Sequence, residues 1–502
     1  MSLSLLNRVG GRAALAVASS GAAGGAYLYA TDDGARRSMQ AYWTFAPVIL
    51  AYRFMELKAS QPYRSILTEA VTDDDWERLD EKYAAPTVAR LGALQGMYAK
   101  YGQTAAGLTN TLGDAWIREL RTLENEIPPR PLASVRATIE EETGAALEDL
   151  FSAFDPTPLG SASIGQVHRA RLRTSGREVA VKVQYPEARA LFRGDIHAIR
   201  KMCEWFAPEQ VCTLDALEQQ NAAELDYTNE ARNLEEVAAN MTRHGFMPAE
   251  VLVPRPVAEL TTQRMLVMEL LPGPKLIDGL RAYYEAYAAA RGTTLRRMET
   301  AARKKMEEEG IPDRYDGPSA AAIARYQRWM GRRDRIANAL IAAYNRVPSL
   351  RRRRPKEGID EGEHGHGDGK IAYLRTTVPP NTPRIVDTLM RVHGCQLLRD
   401  GLFNADPHGG NFLLLPDGRI GLIDYGATKR LTENERLAAC VMYVALKRGD
   451  REKLWTMAKM GGYKSKHMNS DVLYQLQRFG FDSWGKEVTG GRNVQQFMDD
   501  LK

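Results

Sequence analysis

Cysteine is scarce in this chain. Only four occur, at Cys203, Cys212, Cys395 and Cys440, and no two of them form a C-x-x-C pair or a zinc-like cluster. The spacing therefore predicts neither a disulfide framework nor a structural metal site. We expect reduced thiols, most of them buried.

Several common catalytic signatures are also absent. The sequence has no Walker A match, no H-E-x-x-H and no G-x-S-x-G. P-loop nucleotide hydrolysis, zinc-dependent proteolysis and α/β-hydrolase chemistry therefore find no support. With 502 residues, of which 44% are apolar and 26% charged, the chain can bury one large bilobal core or two ordinary domains.

Acidic residues are missing from the start of the chain. The first is Asp32, and Arg8, Arg12, several serines and a small-residue apolar run at 13–30 precede it. This composition indicates an organelle-targeting leader. The run is near the lower length limit for a membrane span and contains a G-x-x-x-G spacing, so spanning and non-spanning interpretations both stay open. A second apolar patch, at 43–52, is too short to span and is expected at a membrane interface or at the start of the folded part.

Positive charge is concentrated in one region. Residues 281–356 carry 19 Lys and Arg against 8 Asp and Glu. Such a stretch can meet an anionic membrane or nucleic acid, or can be a solvated insertion. No aromatic-interleaved RNA motif accompanies it, so we expect no nucleic-acid partner. We interpret 281–380 as an inserted, partly disordered excursion, in which His364 and His366 belong to a solvated linker or, less favoured, bind a metal.

Hydrophobic periodicity predicts the helices and strands of the remaining segments. Apolar residues recur at helical spacing between 60 and 150, for example Leu91, Leu94 and Met97. A strand hairpin is predicted within 159–183, followed by helices at 195–205 and 214–241 and a strand pair at 253–260 and 264–271.

Beyond the insertion, a helix is predicted at 385–399, then a hairpin at 411–423 and further helices. The predicted fold class is α+β. The parts are a leader with a candidate membrane helix at 1–60, a helical extension at 61–150, a small mixed lobe at 151–273 and a helical lobe at 274–502 that carries the insertion.

One segment of the small lobe matches the phosphate loop of protein kinases, G-x-G-x-x-G-x-V, with alanine for the second glycine. Its candidate nucleotide-binding residues are Gly160, Ser161, Ala162, Ser163, Gly165 and Val167. Such a loop lays backbone N–H groups over phosphates where side chains would obstruct. Lys182, in V-A-V-K, follows Val167 by fifteen residues and matches the lysine that pairs with the α- and β-phosphates.

Two further segments complete this set. Asp406 and Asn411 lie five residues apart in N-A-D-P-H-G-G-N, as do the catalytic-loop Asp and Asn of kinases. Phosphoryl transfer needs an oxygen acceptor that orients the nucleophile and oxygen ligands for Mg²⁺. Asp424, in L-I-D-Y-G, matches D-F-G and would be the principal magnesium ligand. ATP and Mg²⁺ are therefore the predicted cofactors.

The segments S-A-S-I-G-Q-V-H-R-A, V-A-V-K-V-Q-Y-P, N-A-D-P-H-G-G-N and L-I-D-Y-G-A together resemble the UbiB-type atypical kinases, the aarF-domain-containing (ADCK, coenzyme-Q-associated) family. The resemblance covers most of 90–450 outside the insertion and implies a bilobal protein-kinase-like fold. One departure is Gly409, where relatives usually have proline.

This resemblance also implies roles for two further motifs. The family's K-x-G-Q motif, here Lys100, Gly102 and Gln103, lies on the helical extension in relatives and folds over the nucleotide pocket as a regulatory element. The family's E-x-D motif is matched at Glu224, and Glu230 lies nearby. We therefore predict an ion pair between Lys182 and Glu224, because a buried lysine beside a triphosphate needs a carboxylate to orient it.

Like its relatives, the chain is expected to hydrolyse ATP or to phosphorylate a small or lipid-like molecule at an organelle membrane, in support of ubiquinone or lipid metabolism. A helix follows Asp424 almost at once and no A-P-E element is present. The alternatives are a nucleotide-binding pseudokinase scaffold and a true protein kinase. A lipid surface and lipid- or quinone-pathway proteins are the expected partners. The mitochondrion is the favoured location and a plastid the alternative.

Overall fold

The computed structural model describes residues 32–59, 71–106, 112–124, 128–162, 164–206, 211–308, 317–347, 371–374, 379–463 and 469–481, together with Tyr27, Tyr29, Ala30 and Val488. The predicted leader up to residue 26, the tract with His364 and His366, and Ser163 of the glycine-rich loop lie outside these residues. The chain divides into two compact units. The first comprises Met1–Glu236, Pro254–Leu270 and Tyr425–Lys502, and the second comprises Val237–Val253 and Leu271–Asp424.

Helices and short strands alternate along the chain. The helices are α1 (Asp33–Ala59), α2 (Asp73–Leu94), α3 (Gly96–Ala106), α4 (Asp114–Leu120), α5 (Leu132–Thr143), α6 (Leu147–Leu150), α7 (Ala188–Phe206), α8 (Val211–Ala223), α9 (Tyr227–Arg243), α10 (Leu276–Ala289), α11 (Leu295–Glu308), α12 (Ala320–Arg346), α13 (Thr382–Cys395), α14 (Glu433–Arg448), α15 (Arg451–Met460) and α16 (Ser470–Phe481). The strands are β1 (Phe151–Phe154), β2 (Gly160–Ser161), β3 (Gly165–Leu172), β4 (Glu178–Gln184), β5 (Val251–Leu252), β6 (Met265–Glu269), β7 (Leu402–Asn404), β8 (Phe412–Leu414), β9 (Ile420–Leu422) and β10 (Thr428–Arg430).

The main sheet of the first unit is antiparallel. Its order is β1-β3-β4-β6, and β2 pairs with the start of β3. Val179, Val181 and Val183 of β4 are at most 1% exposed and belong to one core cluster with Val135 and Ile139 of α5. Because successive side chains of a strand point to opposite faces, Lys182 faces away from this core. The predicted hairpin within 159–183 is confirmed.

A bend in the helical extension separates α2 from α3. Gln95 and Gly96 both have positive φ, at 54° and 57°. Arg37 of α1 donates to Gln95 O and to the buried carboxylate of Asp195 on α7, and Asp195 also accepts from Met97 N at 3.0 Å. Burial raises the pKa of the Asp195 carboxyl, opposed by the Arg37 guanidinium. These contacts hold α3 in place beside α1 and α7.

Two predicted elements differ in the structure. The helix predicted at 214–241 is split into α8 and α9, because Asp226 Oδ1 accepts hydrogen bonds from Thr228 N and Thr228 Oγ1 and so begins a new helix. Of the strand pair, 264–271 forms β6, whereas 253–260 makes only an isolated bridge and a 3₁₀ turn. Prolines at 254 and 256 lack the N–H that a strand ladder needs.

The second unit contains a small sheet of order β5-β9-β8. Its β8–β9 hairpin and the helix α13 confirm the predictions for these segments. The predicted irregular excursion is largely helical where the structure describes it, since α11 and α12 lie within 281–380. The α12 sequence is rich in alanine and arginine, both strong helix formers, and Ser319 Oγ caps its start by accepting from Ala322 N.

The described part of the chain contains no helix long and apolar enough to cross a lipid bilayer. Cys395 is buried and Cys203 and Cys440 are half-buried, and all three carry thiols rather than disulfides. The patch at 43–52 lies in α1, where Ala41 and Phe45 pack in a core cluster while Trp43 is 87% exposed.

Candidate functional site

The glycine-rich loop of the first unit is a tight hairpin. Gly160 pairs with Val167 and Ser161 with Gln166, and Ala162 N donates to Gly165 O at 2.8 Å across the turn. A Cβ atom on Gly165 would lie 2.5 Å from Tyr227 Oη and 2.6 Å from Val183 O. Glycine at 165 therefore permits the close approach of β3 to β4, in addition to any contact that the loop makes with phosphate.

Lys182 forms a buried ion pair, but with a different partner from the predicted one. Its Nζ lies 2.8 Å from both carboxylate oxygens of Glu230, and the two side chains are 12% and 2% exposed. Glu230 lies in the first turn of α9, where the helix dipole favours a negative charge. The prediction named Glu224 as this partner. Glu230, in the first turn of α9 beyond the break between α8 and α9, meets Lys182 of β4 instead.

Glu224 has its own lysine. It forms an ion pair with Lys100 of α3, and both side chains are 12–13% exposed. The segment that carries Glu224 is held against β4, because Gln184 Nε2 donates to Leu225 O at 3.2 Å. The extension and the E-x-D segment are thus joined by a nearly buried pair of opposite charges.

The other two residues of the K-x-G-Q segment anchor α3. A Cβ atom on Gly102 would lie 2.5 Å from Leu123 Cδ1, so the small residue permits close packing against the 3₁₀ turn Arg121–Glu124. Gln103 Nε2 donates to Leu123 O at 2.8 Å. Gly102 and Gln103 fix the helix, and Lys100 projects from it to Glu224.

In the second unit, the segment from Asp406 to Asn411 folds into a compact loop. Asn411 Nδ2 and His408 N both donate to Asp406 O, at 2.8 and 2.9 Å. Because Nδ2 is used in this way, Asn411 Oδ1 is left as an oxygen donor for a cation. Within the described residues, no hydrogen bond to the Asp406 carboxylate is seen, so it remains available as an acceptor.

Asn404 connects this loop to the segment that carries Asp424. Its Oδ1 accepts from Asp406 N at 2.8 Å and its Nδ2 donates to Asp424 O at 2.9 Å. Asn404 is only 5% exposed. In the first unit, Asn233 Nδ2 donates to the next carbonyl along the chain, Tyr425 O, at 3.1 Å.

Three residues of this machinery were missed by reasoning from the sequence: Glu230 as the lysine partner, and Asn404 and Asn233 as supports of the Asp424 segment. An asparagine two residues before Asp406 is a signal that could have indicated Asn404, because Asn side chains commonly bond to backbone two residues on. The other two act across long sequence separations.

The donor set fits the predicted cofactors. The two carboxylates of Asp406 and Asp424 and the amide oxygen of Asn411 are hard oxygen ligands of the kind that Mg²⁺ prefers, and all three residues belong to the second unit. The ammonium group of Lys182, oriented by Glu230, suits a phosphate, and this pair belongs to the first unit.

A further polar cluster lies elsewhere in the second unit. His244 Nε2 and Arg243 Nη2 lie 2.8 and 2.9 Å from Asp400 Oδ1, and Cys395 Sγ lies within 4.8 Å of the ligand atoms of His244 and Asp400. Burial raises the pKa of the Cys395 thiol. A cation here would share Asp400 with the Arg243 guanidinium, which would repel it, so we interpret the cluster as an ion-pair network.

A cavity of about 760 Å³ is also present in the second unit, between α10, α13 and the β8–β9 turn, and its lining contains none of the predicted site residues.

The α+β fold, the lysine–glutamate pair and the Asp–Asn loop are those of a kinase-like protein. The chain belongs to the ABC1 atypical kinase-like domain family, whose model matches residues 122–307 and 371–458, more than half of the chain. The match leaves out 308–370, which contain α12. The predicted fold class and family resemblance are therefore confirmed.

The relatives agree with this family. The chain is 33% identical over 281 residues to AarF domain-containing protein kinase 1 of Mus musculus, covering 53% of this chain and 50% of that protein. It is 34% identical over 205 residues to the Arabidopsis thaliana protein ACTIVITY OF BC1 COMPLEX KINASE 8, chloroplastic, and the match covers 39% of this chain and 26% of that protein. The chain spans about half the length, or less, of these curated relatives.

Among solved structures, a Mycobacterium tuberculosis protein in complex with erythromycin is similar at 21% identity, covering 86% of each chain with a TM-score of 0.38.

Proposed function

We propose that this chain is a Mg-ATP-dependent ATPase or small-molecule or lipid phosphotransferase that acts at an organelle membrane in support of ubiquinone or lipid metabolism. The observation that carries the proposal is the buried Lys182–Glu230 pair beside the glycine-rich hairpin. Phosphate binding requires a lysine that a carboxylate holds in one orientation. A buried ion pair by itself contributes little to stability, so stability alone does not explain this one.

Each residue then has a role. Lys182 binds the α- and β-phosphates, Glu230 orients it, and the backbone N–H groups of the loop from Gly160 cover the phosphates. Asp406 accepts a hydrogen bond from the attacking hydroxyl or water and orients it. Asn411 and Asp424 would hold Mg²⁺, which supplies charge neutralisation between the phosphate oxygens when bound.

The segment after Asp424 argues for a small acceptor. β10 begins at Thr428 and α14 at Glu433, so few residues are left for an activation segment on which a peptide could dock. Phosphorylation of a protein acceptor is for this reason the less favoured activity.

A nucleotide-binding scaffold is the second candidate. The ion pair between Lys100 and Glu224 favours it, because it ties the extension to the segment next to the Lys182 partner and could hold the site in a form that binds without turning over.

Location is proposed from the leader and the relatives together. The acid-free, arginine-bearing leader favours the mitochondrion. A plastid is the alternative, in keeping with the Arabidopsis relatives that are named chloroplastic.

Phosphate release from Mg-ATP by the full chain, with and without anionic vesicles, tests the proposal. We expect turnover that Asp424→Asn abolishes and that Asp387→Asn, an exposed carboxylate on α13, leaves unchanged. Vesicle-stimulated turnover that is lost only in Asp424→Asn supports a membrane-coupled enzyme. Nucleotide binding with no turnover in the wild type supports the scaffold, and transfer to a defined protein acceptor supports a protein kinase.

A further inference from the structure

The helix α12 exposes a stripe of large apolar side chains. Tyr326, Trp329, Ile336 and Leu340 are 49%, 56%, 65% and 68% exposed. Their spacing of three, seven and four residues places them on one side of an α-helix. Exposed apolar groups that are contiguous along a helix indicate an interaction surface, whereas scattered ones do not.

A row of positive charge runs beside this stripe. Arg325, Arg328, Arg332 and Arg335 are all exposed and follow the same helical spacing. None of these four arginines forms an ion pair with a carboxylate among the residues that the structure describes. The sole acidic residue of α12 is Asp334, which pairs with Arg333 and is 17% exposed. Among the described residues, the arginines on the outward side of α12 therefore have no carboxylate partner.

The opposite side of α12 is fixed to the rest of the second unit. Met330 is buried, and Gln327 Nε2 donates to Pro379 O at 2.7 Å. The amides of Asn338 and Asn345 each make two hydrogen bonds to the backbone of the segment 371–374. We call the apolar stripe and its arginines the α12 outer face. Because the other side of α12 is packed, this face is held outward.

We propose that the α12 outer face docks on an anionic lipid surface, with the helix lying along the membrane plane. Arginine binds lipid phosphates, tyrosine and tryptophan favour the headgroup region, and isoleucine and leucine enter the acyl boundary. The α12 outer face runs from Arg325 to Leu340, so at about 1.5 Å per residue α12 presents roughly 24 Å of such contact.

A nucleic acid or an acidic protein could also bind the arginines, but neither phosphates nor carboxylates gain from contact with the apolar side chains of Ile336 and Leu340. These two side chains favour a lipid. The α12 outer face lies within 308–370, which the family match leaves out.

Sedimentation of the full chain with vesicles, without nucleotide, tests this docking. Phosphatidylcholine vesicles are compared with vesicles in which part of that lipid is replaced by phosphatidylglycerol. Substituting Arg325→Gln, Arg328→Gln, Arg332→Gln and Arg335→Gln together is expected to lower binding to the anionic vesicles about 600-fold at low salt, at about fivefold for each arginine near the surface. Trp329→Ala with Leu340→Ala is expected to lower it about tenfold or more through lost apolar burial.

The matched control removes the same number of charges elsewhere. Arg169, Arg171, Arg173 and Arg177 are exposed on the β3–β4 hairpin, and their replacement by glutamine is expected to change binding less than about threefold. Since every changed side chain is exposed, circular dichroism and the melting temperature should match the wild type. The four α12 arginines replaced one at a time form a second series, in which each variant should lose part of the vesicle binding that the fourfold variant loses.

Loss of binding in both the charge and the apolar variants, with the control intact, supports the proposal. Vesicle binding at wild-type strength in both variants overturns it. So does loss in the charge variant alone, accompanied by equal loss of binding to a single-stranded RNA oligonucleotide, since that outcome identifies a polyanion surface. None of these readouts depends on turnover, so the docking and the proposed enzymatic function can fail separately.

Discussion

The side chain of Asn404 bonds to the backbone of Asp424, with 2.9 Å between Asn404 Nδ2 and Asp424 O, while its Oδ1 accepts from Asp406 N. One buried amide therefore sets the relative position of the two segments that carry the proposed magnesium ligand and the proposed nucleophile-orienting carboxylate.

Replacing this amide should impair turnover. In Asn404→Ala both bonds are lost, and we expect the rate of phosphate release to fall about 10- to 100-fold, as is typical when reacting groups are displaced by about an ångström. Asn345→Ala is the control, because the side chain of Asn345, on α12, also makes two hydrogen bonds to backbone, both to Ile371. Equal rates for Asn404→Ala and the wild type would contradict the positioning role.

The partner of Lys182 can be tested by comparing two glutamates. Glu230→Gln removes the charge that orients Lys182, so we expect weaker ATP binding and turnover reduced by about tenfold or more. Glu224→Gln should have the smaller effect on ATP binding, measured by titration with the nucleotide under the same conditions. The reverse order would restore Glu224 as the orienting residue and show that the pair seen here is not the functional one.

The ion pair between Lys100 and Glu224 should couple energetically. Either Lys100→Met or Glu224→Gln leaves a nearly buried charge without its counter-charge, which is expected to lower the free energy of unfolding by about 3 kcal/mol. The double variant should lose less than the sum, with a coupling energy of about 1 to 3 kcal/mol in denaturant unfolding. The exposed pair Arg118–Glu81 is the control and should couple by less than about 1 kcal/mol. Additive losses at Lys100 and Glu224 would argue against the pair.

Acid should destabilise the protein partly through His168. This side chain is fully buried on β3, between Gln166 Nε2 and Asp155 O, each 2.8 Å from a ring nitrogen. Burial lowers the pKa of His168 from its usual 6.5. The unfolded chain then binds the proton more readily than the folded one, so the stabilisation is present above pH 6.5 and is lost as the pH falls below it.

The measurement is the free energy of unfolding at several pH values between about 7.5 and 5. His168→Gln should flatten this dependence while lowering stability at neutral pH. His197→Gln, on α7, serves as the histidine control. A His168→Gln variant with the wild-type slope would show that His168 does not titrate differently in the folded state.

Gly409 should depend on its neighbour Ile277. A Cβ atom at 409 would lie 2.3 Å from Ile277 Cγ1, so Gly409→Ala is expected to cost about 1 to 3 kcal/mol of stability by overpacking. Adding Ile277→Ala should recover most of this cost in the double variant, as measured by denaturant unfolding. Gly194→Ala is the control, because no heavy atom lies within 4 Å of the Cβ position there. Independent effects of the two substitutions would contradict a steric clash between a side chain at 409 and Ile277.

Much of the candidate site was predictable because its signals are local. The hairpin within 159–183, the Asp406–Asn411 loop and the β8–β9 hairpin each arise from residues close together in the sequence, with turn residues at defined positions. The predictions that failed lacked such a signal or ignored it. The prolines at 254 and 256 already opposed a strand at 253–260, and the helical content of 281–380 was masked by its high charge.

By itself, the sequence determined the α+β class and the family, and it marked Lys182, Asp406, Asn411 and Asp424 as candidate site residues, because backbone propensity and short-range spacing are properties of contiguous residues. Only the tertiary structure decided that Glu230 pairs with Lys182, that Glu224 pairs with Lys100, and that α12 turns its arginines and apolar stripe outward. Glu224 lies in the break between α8 and α9 and Glu230 lies six residues later in the first turn of α9, and their charges are the same. Which carboxylate meets which lysine depends on where the helices pack, and packing is a property of the folded chain.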